Sequence, residues 1–334
     1  MRAACSLLAL MLAFLARTAG AAPAPASLEP GEAERLLVVS PHPDDETLGA
    51  GGLVQRVLAR GGSVDVALVT AGDGYVEAVV HETGLLRPRP AQFVAYGERR
   101  LLEARAALHA LGDDRIKLEF LGFPDGGLMG LLREHWRRIH PERSLTTGVA
   151  DPPYTDAVEP DVPYAGSDLR RELTRILEHA RPTIVVLPDP LDRHPDHRAT
   201  GLFTLLAIEE WTSKKKNRPG PMPRLLAYLI HWPGWPPGWD DSAPTPSVSV
   251  VTLTLPADLP AAGAARPLLT LTDAEVATKR AALARYTSQQ EVMAPLLAAF
   301  IRRTEPFTEL SAAVLQGVGE MVERSAEPQP LKAR

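Results

Sequence analysis

The chain has 334 residues, 45% of them hydrophobic and 23% charged, enough apolar material for a sizeable core, which excludes disorder as its main state. With 36 Lys and Arg against 41 Asp and Glu it lacks the basic surplus of a nucleic-acid binder, so a small or neutral molecule is the expected partner. The 32 prolines and 25 glycines point to long ordered loops around a core rather than to a low-complexity polymer.

The N-terminus reads as an export signal: Arg2, the apolar run Leu7 to Leu15, then Ala19-Gly20-Ala21 in an A-x-A cleavage pattern. The run falls short of the roughly 20 residues that span a bilayer, and no later segment reaches that length without charges or prolines. The expectation is a signal over residues 1–21, a linker over 22–34, one domain over 35–312 and a tail over 313–334. The mature protein would be periplasmic or extracellular, with no integral membrane segment. The single cysteine, Cys5, leaves with the signal. Loss of Arg2 and Arg17 leaves 34 basic residues against 41 acidic, a formal charge of −7 that disfavours anionic membrane surfaces.

Arg35 to Ser40 is a short apolar run, expected as a buried parallel strand. The loop Pro41-His42-Pro43-Asp44-Asp45-Glu46 leads into a helix over Thr47 to Arg60, stopped by Gly61-Gly62. Strands are expected over Ser63 to Thr70, Ile116 to Leu121 and Thr183 to Leu187, with helices over Gln92 to Leu111 and Asp168 to His179 between them. Further strands fit Leu225 to Ile230 and Val248 to Leu255, at a sheet edge, and further helices Asp273 to Tyr286 and Met293 to Arg303. This alternation predicts an α/β fold: a Rossmann-like, open, mostly parallel sheet with helices on both faces, in three layers.

In such sheets ligands sit beyond the carboxyl ends of the strands, so the loops after Val39 and Leu187 can meet in one crevice. The first carries His42, Asp44, Asp45 and Glu46; the second carries Asp189, Asp192, His194, Asp196 and His197. Imidazoles and carboxylates without thiolates suit Zn²⁺ or Fe²⁺, whereas Mg²⁺ and Ca²⁺ take oxygen ligands. His42, Asp45 and His197 would give three protein ligands and leave positions open, the arrangement of a catalytic zinc. The plainer alternative is a proline-rich solvated loop with helix-capping histidines. The occurrence of His and Asp at short spacing in both loops favours the metal.

The stretch Ser40 to Glu46 with Gly49-Ala50-Gly51-Gly52, together with Asp192-Arg193-His194-Pro195-Asp196-His197-Arg198-Ala199-Thr200, resembles the PIG-L/LmbE family of zinc-dependent N-acetylglucosaminyl deacetylases. Arg100 to Ala104, Leu121 to Leu128 and Lys279 to Gln290 are similar to the family's central helix, following loop and C-terminal helix. The resemblance covers most of residues 35–305 and departs at 131–165 and 231–240, the regions expected to shape the substrate cleft. It implies that His42, Asp45 and His197 bind zinc and that Asp44 is the general base. His194 then stabilises the oxyanion or protonates the leaving amine, with Asp192 or Asp196 holding its proton. Glu46 either backs a ligand histidine or answers the helix dipole alone. Arg100, Asp125 and His231 are expected near the substrate, as is Trp235, whose indole could stack on a sugar ring, although a loop packing its own aromatics fits equally. The implied activity is removal of an acetyl group from an N-acetylated amino sugar or glycoconjugate.

Other classes fit the sequence less well. The glycines after Leu48 do not make a dinucleotide fingerprint, because G-x-G-x-x-G counted from Gly49 would need glycine where Val54 stands, and the acidic loop repels a pyrophosphate. A non-catalytic exported sugar-binding protein is argued against by the presence of both Asp44 and His194. An amidase cutting a larger acyl group or a thiol-sugar conjugate is the nearest competitor. The oligomeric state is not legible in the sequence.

Overall fold

The computed structural model describes residues 26–214, 221–237, 252–260 and 264–311, so the expected signal and tail lie outside the described residues. β1 (Arg35–Ser40), β2 (Ser63–Thr70), β3 (Ile116–Phe123), β4 (Ile184–Pro188) and β5 (Arg224–Tyr228) run parallel, and β8 (Thr308–Leu310) closes one edge antiparallel to β5. The order is β3-β2-β1-β4-β5-β8, so the chain reverses direction across the sheet between β1 and β4. That reversal opens a crevice at the carboxyl ends of those two strands.

Side chains alternate between the faces with period two. Leu36 and Val38 of β1, Val64 and Val66 of β2, and Ile184 and Val186 of β4 pack with helices α1 (Asp45–Ala59), α3 (Pro90–Gly112), α7 (Asp273–Leu283) and α8 (Thr287–Ala299). Leu37, Val39, Ala67, Val185 and Leu187 face α4 (Leu128–Arg133), α5 (Gly166–Ala180) and α6 (Pro195–Lys214) instead. The short α2 (Val76–Thr83) packs Ala78 and Val79 against Phe93 and Tyr96 of α3. The three expected layers are therefore present.

Several elements differ from expectation. Helix α6 lacks an amphipathic pattern because Leu202, Phe203, Leu205, Ala207 and Ile208 are buried on every side of it. The expected edge strand over Val248 to Leu255 is not formed at residues 252–255, and 248–251 lie outside the described residues. The Leu225 strand is internal, between β4 and β8. At the C-terminus α7 stops at Leu283 and α8 starts at Thr287, where the sequence suggested one helix to Tyr286 and another from Met293. Pro295 lacks an N–H for the ladder, and Met293 just before it is non-helical (φ −141°, ψ 31°). Residues 26–34, expected to be linker, are partly docked: Leu28 is buried, and the segment pairs with Leu268 of β6 (Leu268–Thr270), which itself pairs with β7 (Thr304–Pro306).

The glycines of α1 have a packing reason. A Cβ on Gly49 would lie 2.5 Å from the Tyr228 ring, and one on Gly52 2.3 Å from Leu271. Lys279 Nζ donates to Leu48 O (2.8 Å), and Glu305 accepts from the backbone N–H groups of Gly52 and Leu53. These contacts seat the helix against the far end of the chain.

One core group is out of keeping with its surroundings. Glu172 on α5 is fully buried, neither carboxylate oxygen has a hydrogen-bond partner among the described residues, and burial pushes its carboxyl up to about 8. A folded-state value above the unfolded one means that folding binds a proton, so stability falls as pH rises from the ordinary carboxylate range towards 8. Glu172→Gln should remove this loss, by about 1.4 kcal/mol per pH unit across that window. Melting curves of both proteins should converge near pH 5 and separate by pH 8; parallel profiles would reject the assignment.

Candidate active site

The crevice between β1 and β4 holds the two acidic loops. His42 and Asp44 lie in the turn after β1, and Asp45 and Glu46 open α1. After β4, Asp192 and His194 lie in the loop, while Asp196 and His197 belong to the first turn of α6 rather than to the loop.

His42 Nδ1 and His197 Nε2 approach the same oxygen, Asp45 Oδ2, each at 3.1 Å. The opposite ring nitrogens face other carboxylates: His42 Nε2 is 3.1 Å from Asp125 Oδ1 and 3.5 Å from Asp196 Oδ2, and His197 Nδ1 is 3.5 Å from Asp192 Oδ2. A carboxylate on the outer nitrogen fixes the proton there and turns the inner lone pair towards a metal. His197 is fully buried, yet neither ring nitrogen has the geometry of a hydrogen bond. Each of the two imidazole nitrogens stands 3.1 Å from Asp45 Oδ2, close to the roughly 3.3 Å edge of a tetrahedron with 2.0–2.1 Å metal bonds. The donor set therefore fits zinc or ferrous iron.

Among the described residues, the groupings whose ligand atoms all lie within 4.8 Å of one another are His42 with His194 and His197, and His42 with Asp125 and Asp196. Both outer carboxylates are already engaged. Asp125 Oδ2 accepts from Gly74 N (2.6 Å), and Asp196 accepts from the N–H groups of Gly126 (2.6 Å) and Leu128 (3.2 Å). They orient His42 better than they would bind an ion.

Electrostatics agree. Burial alone would lower both imidazoles, but Asp125, Asp196 and Asp45 outweigh it and raise His42 well above its usual range, while Asp45 and Asp192 raise His197 to about 9. The carboxylates thus favour positive charge at this point. Asp192 is held down at about 2, the pull of His197 exceeding the cost of burial.

Asp44 has φ 123° and ψ −33°, a strained backbone for a residue with a Cβ. Several bonds impose that conformation: Glu46 Oε2 accepts its N–H (3.2 Å), its own carbonyl accepts from Thr47 and Leu48, and Arg100 spans Pro43 O (2.6 Å), Gly72 O (2.9 Å) and Asp44 Oδ2 (3.1 Å). Arg100 is 4% exposed, its guanidinium held inside the site rather than in solvent. Burial drives the Asp44 carboxyl up to about 8 against the opposing pull of Arg100. The carboxylate form is therefore a stronger base than that of an ordinary aspartate.

His194 Nδ1 accepts the Asp196 N–H at 3.3 Å, which makes Nε2 the protonated nitrogen. Contrary to expectation, neither the Asp192 nor the Asp196 carboxylate holds the ring among the described residues: Asp192 Oδ1 accepts the His194 backbone N–H (2.8 Å), and Asp196 meets the ring through its backbone N–H. Burial, then the neighbouring His42, His197 and His231, hold His194 down at about 2, so the resting ring is neutral. His231 completes a cluster of imidazoles, with ring centroids 4.7 Å from His197 and 5.1 Å from His194.

Glu46 backs no ligand histidine. It accepts from Ser40 Oγ (3.2 Å), Thr47 Oγ1 (2.9 Å), Asp44 N and the Tyr286 hydroxyl, and so fixes the turn that carries Asp44. Trp235 is also corrected. It is 5% exposed, donates Nε1 to Thr254 O (2.8 Å) and sets its ring edge-to-face with Phe300 at 5.4 Å, too deep to stack on a sugar. Trp235→Ala should therefore cost about 3–5 kcal/mol of stability and leave KM unchanged, as denaturant titration beside steady-state kinetics would establish.

These groups open on a cavity of ≈ 340 Å³. Its polar floor includes His42, Asp44, Asp45, Arg100, Asp125, His194 and His231, and Leu48, Ile230, Met293 and Leu296 form an apolar wall. The 131–165 insertion does not line it, contrary to expectation, and of the described residues of the Trp/Pro segment only His231 does. The sequence missed the wall from α8 and the pairing of Asp125 with His42, since no local spacing connects loops 83 residues apart.

A profile of the GlcNAc-PI de-N-acetylase family, PIG-L, matches residues 37–208. A 1D-myo-inositol 2-acetamido-2-deoxy-alpha-D-glucopyranoside deacetylase of Mycobacterium sp. (strain KMS) is 35% identical over 188 residues, 54% of this chain and 53% of that protein. A diacetylchitobiose deacetylase of Thermococcus kodakarensis is 26% identical over 185 residues, 53% of this chain and 50% of its own. The chain thus spans about half the length of the curated relatives it matches. Among solved structures, the N,N'-diacetylchitobiose deacetylase of Pyrococcus horikoshii aligns with a TM-score of 0.48 at 18% identity, over 90% of this chain and 88% of that one.

Proposed function

The chain belongs to the PIG-L family, and on that premise we propose that it is an exported metal-dependent hydrolase that removes the N-acetyl group from an N-acetylated amino sugar or glycoconjugate. The observation that carries this reading is the convergence of His42 Nδ1 and His197 Nε2 on Asp45 Oδ2, beside the carboxyl of Asp44.

His42, Asp45 and His197 would hold zinc, or iron in its place. When bound, the metal polarises an amide carbonyl and makes water acidic enough to attack near neutral pH. Asp44, steadied by Arg100, takes the proton of the attacking water and returns it to the departing amine. His194 offers its Nε2–H to the oxygen that gains charge at the tetrahedral centre. Its Nδ1 bond to the Asp196 N–H favours this donor role over that of a proton reservoir. His231 and Asp125 complete the polar rim where sugar hydroxyls would bind. The export half of the proposal rests on the N-terminal sequence; among the described residues no helix is long and apolar enough to cross a membrane.

The test is metal content of the purified protein, paired with acetate release from a panel of N-acetylglucosaminyl compounds before and after chelation. About one zinc or iron per chain with chelator-sensitive acetate release is expected; a metal-free protein that stays so on reconstitution would defeat the mechanism. The wall of Leu48, Ile230, Met293 and Leu296 supports a second reading, an amidase for a larger, apolar acyl group. A longer acid in place of acetate would favour it.

A further inference from the structure

We propose that the 131–165 insertion braces the metal site from behind, with Tyr154 as the positioning residue that acts through Asp73, Gly74 and Asp125 on His42. The inference rests on the metal reading above.

Tyr154 and Asp73 are both 4% exposed, and the tyrosine hydroxyl donates to Asp73 Oδ2. The ring leans edge-on against Phe120 at 5.5 Å, and its hydroxyl end lies over Gly97 of α3. A Cβ on Gly97 would stand 2.2 Å from the Tyr154 oxygen, so a side chain at 97 would displace the tyrosine. The insertion is also fastened along β3: Val158 N donates to Phe120 O (2.8 Å) and Tyr164 Oη to Gly122 O (3.0 Å). It thereby grips the carboxyl ends of β2 and β3 together.

The segments that leave those two strands meet at once. Gly74, next to Asp73, donates its N–H to Asp125 Oδ2 at 2.6 Å, and the other oxygen of Asp125 lies 3.1 Å from His42 Nε2. The path from the tyrosine to the ligand imidazole is therefore continuous. In the loop Gly72-Asp73-Gly74, Gly72 is held through its N–H by Thr70 Oγ1 (3.1 Å) and through its carbonyl by Arg100, and the buried tyrosine hydroxyl on Asp73 adds the fastening next to the Gly74 N–H. Loss of outer partners of a ligand histidine typically weakens metal binding by about 10–100-fold. Acting one bond further out, Tyr154 belongs at the lower end of that range.

The experiment strips the metal and measures zinc affinity by competition with a chromophoric chelator, alongside the melting temperature of each metal-free protein. Tyr154→Phe should bind zinc about tenfold more weakly than wild type, and by more than any change in metal-free melting accounts for. Affinity within twofold of wild type would overturn the proposal. If the phenylalanine variant does not fold, Asp73→Ala and Asp73→Asn give the same readout: alanine removes the acceptor and should weaken zinc, whereas asparagine keeps an oxygen for the tyrosine and should restore near-wild-type affinity. Equal affinities in those two would also overturn it. Failure of the wild-type protein to bind zinc would instead defeat the metal reading itself.

Discussion

His197→Ala is expected to abolish chelator-sensitive turnover and zinc binding together. The imidazole is fully buried between Asp45 and Asp192, and it supplies one of the three donors gathered at Asp45 Oδ2. Its removal leaves two ligands, too few for a catalytic zinc. It also leaves two buried carboxylates without the positive charge that holds both below the ordinary carboxylate range, so a loss of stability should accompany the loss of metal. Metal content, turnover and melting measured on one preparation separate these effects. Retained stoichiometric zinc at wild-type affinity would remove His197 from the ligand set.

Asp44→Asn is expected to lower kcat by about 10²–10⁴-fold, the usual contribution of a general base, with zinc still bound. The asparagine keeps the shape of the side chain, and Arg100 keeps the carbonyls of Pro43 and Gly72 as partners, so the turn should survive. What disappears is the ability to accept a proton. KM should change little, because a group that acts only as the bond breaks contributes little to ground-state binding. Equal metal loss in Asp44→Asn and His197→Ala would contradict the division between base and ligand.

Much of this site could be read in the sequence because the two loops that form it each follow a buried strand. Arg35 to Ser40 and Ser63 to Thr70 are dense in β-branched and aliphatic residues, and their strands begin and end where those runs do. The ligands then follow from where doubly wound sheets bind. What could not be read is tertiary. The family resemblance puts Asp125 near the substrate, but only folding also sets it against His42. Trp235 belonged to an aromatic loop that nothing local assigns to solvent or to the core, and packing against Phe300 decided it. Helix α6 hid because it is buried all round, and β6, β7 and β8 because three residues are too few to display a period.

The anchoring of α1 by Tyr286, Lys279 and Glu305 has a consequence for the order in which activity appears during synthesis. The turn that carries Asp44 leaves the ribosome well before its fasteners, which follow 240, 231 and 253 residues after the groups they hold. Closing loops of that length is slow and is rewarded only when the last contact forms. A nascent chain can therefore assemble β1, β2 and β4 and still lack the fixed geometry at Asp44. Under the hydrolase reading proposed above, competence would arrive with the C-terminal segments, none of which supplies a ligand, so a chain cut short before Glu305 would carry His42, Asp44, Asp45, His194 and His197 without the contacts that fix α1.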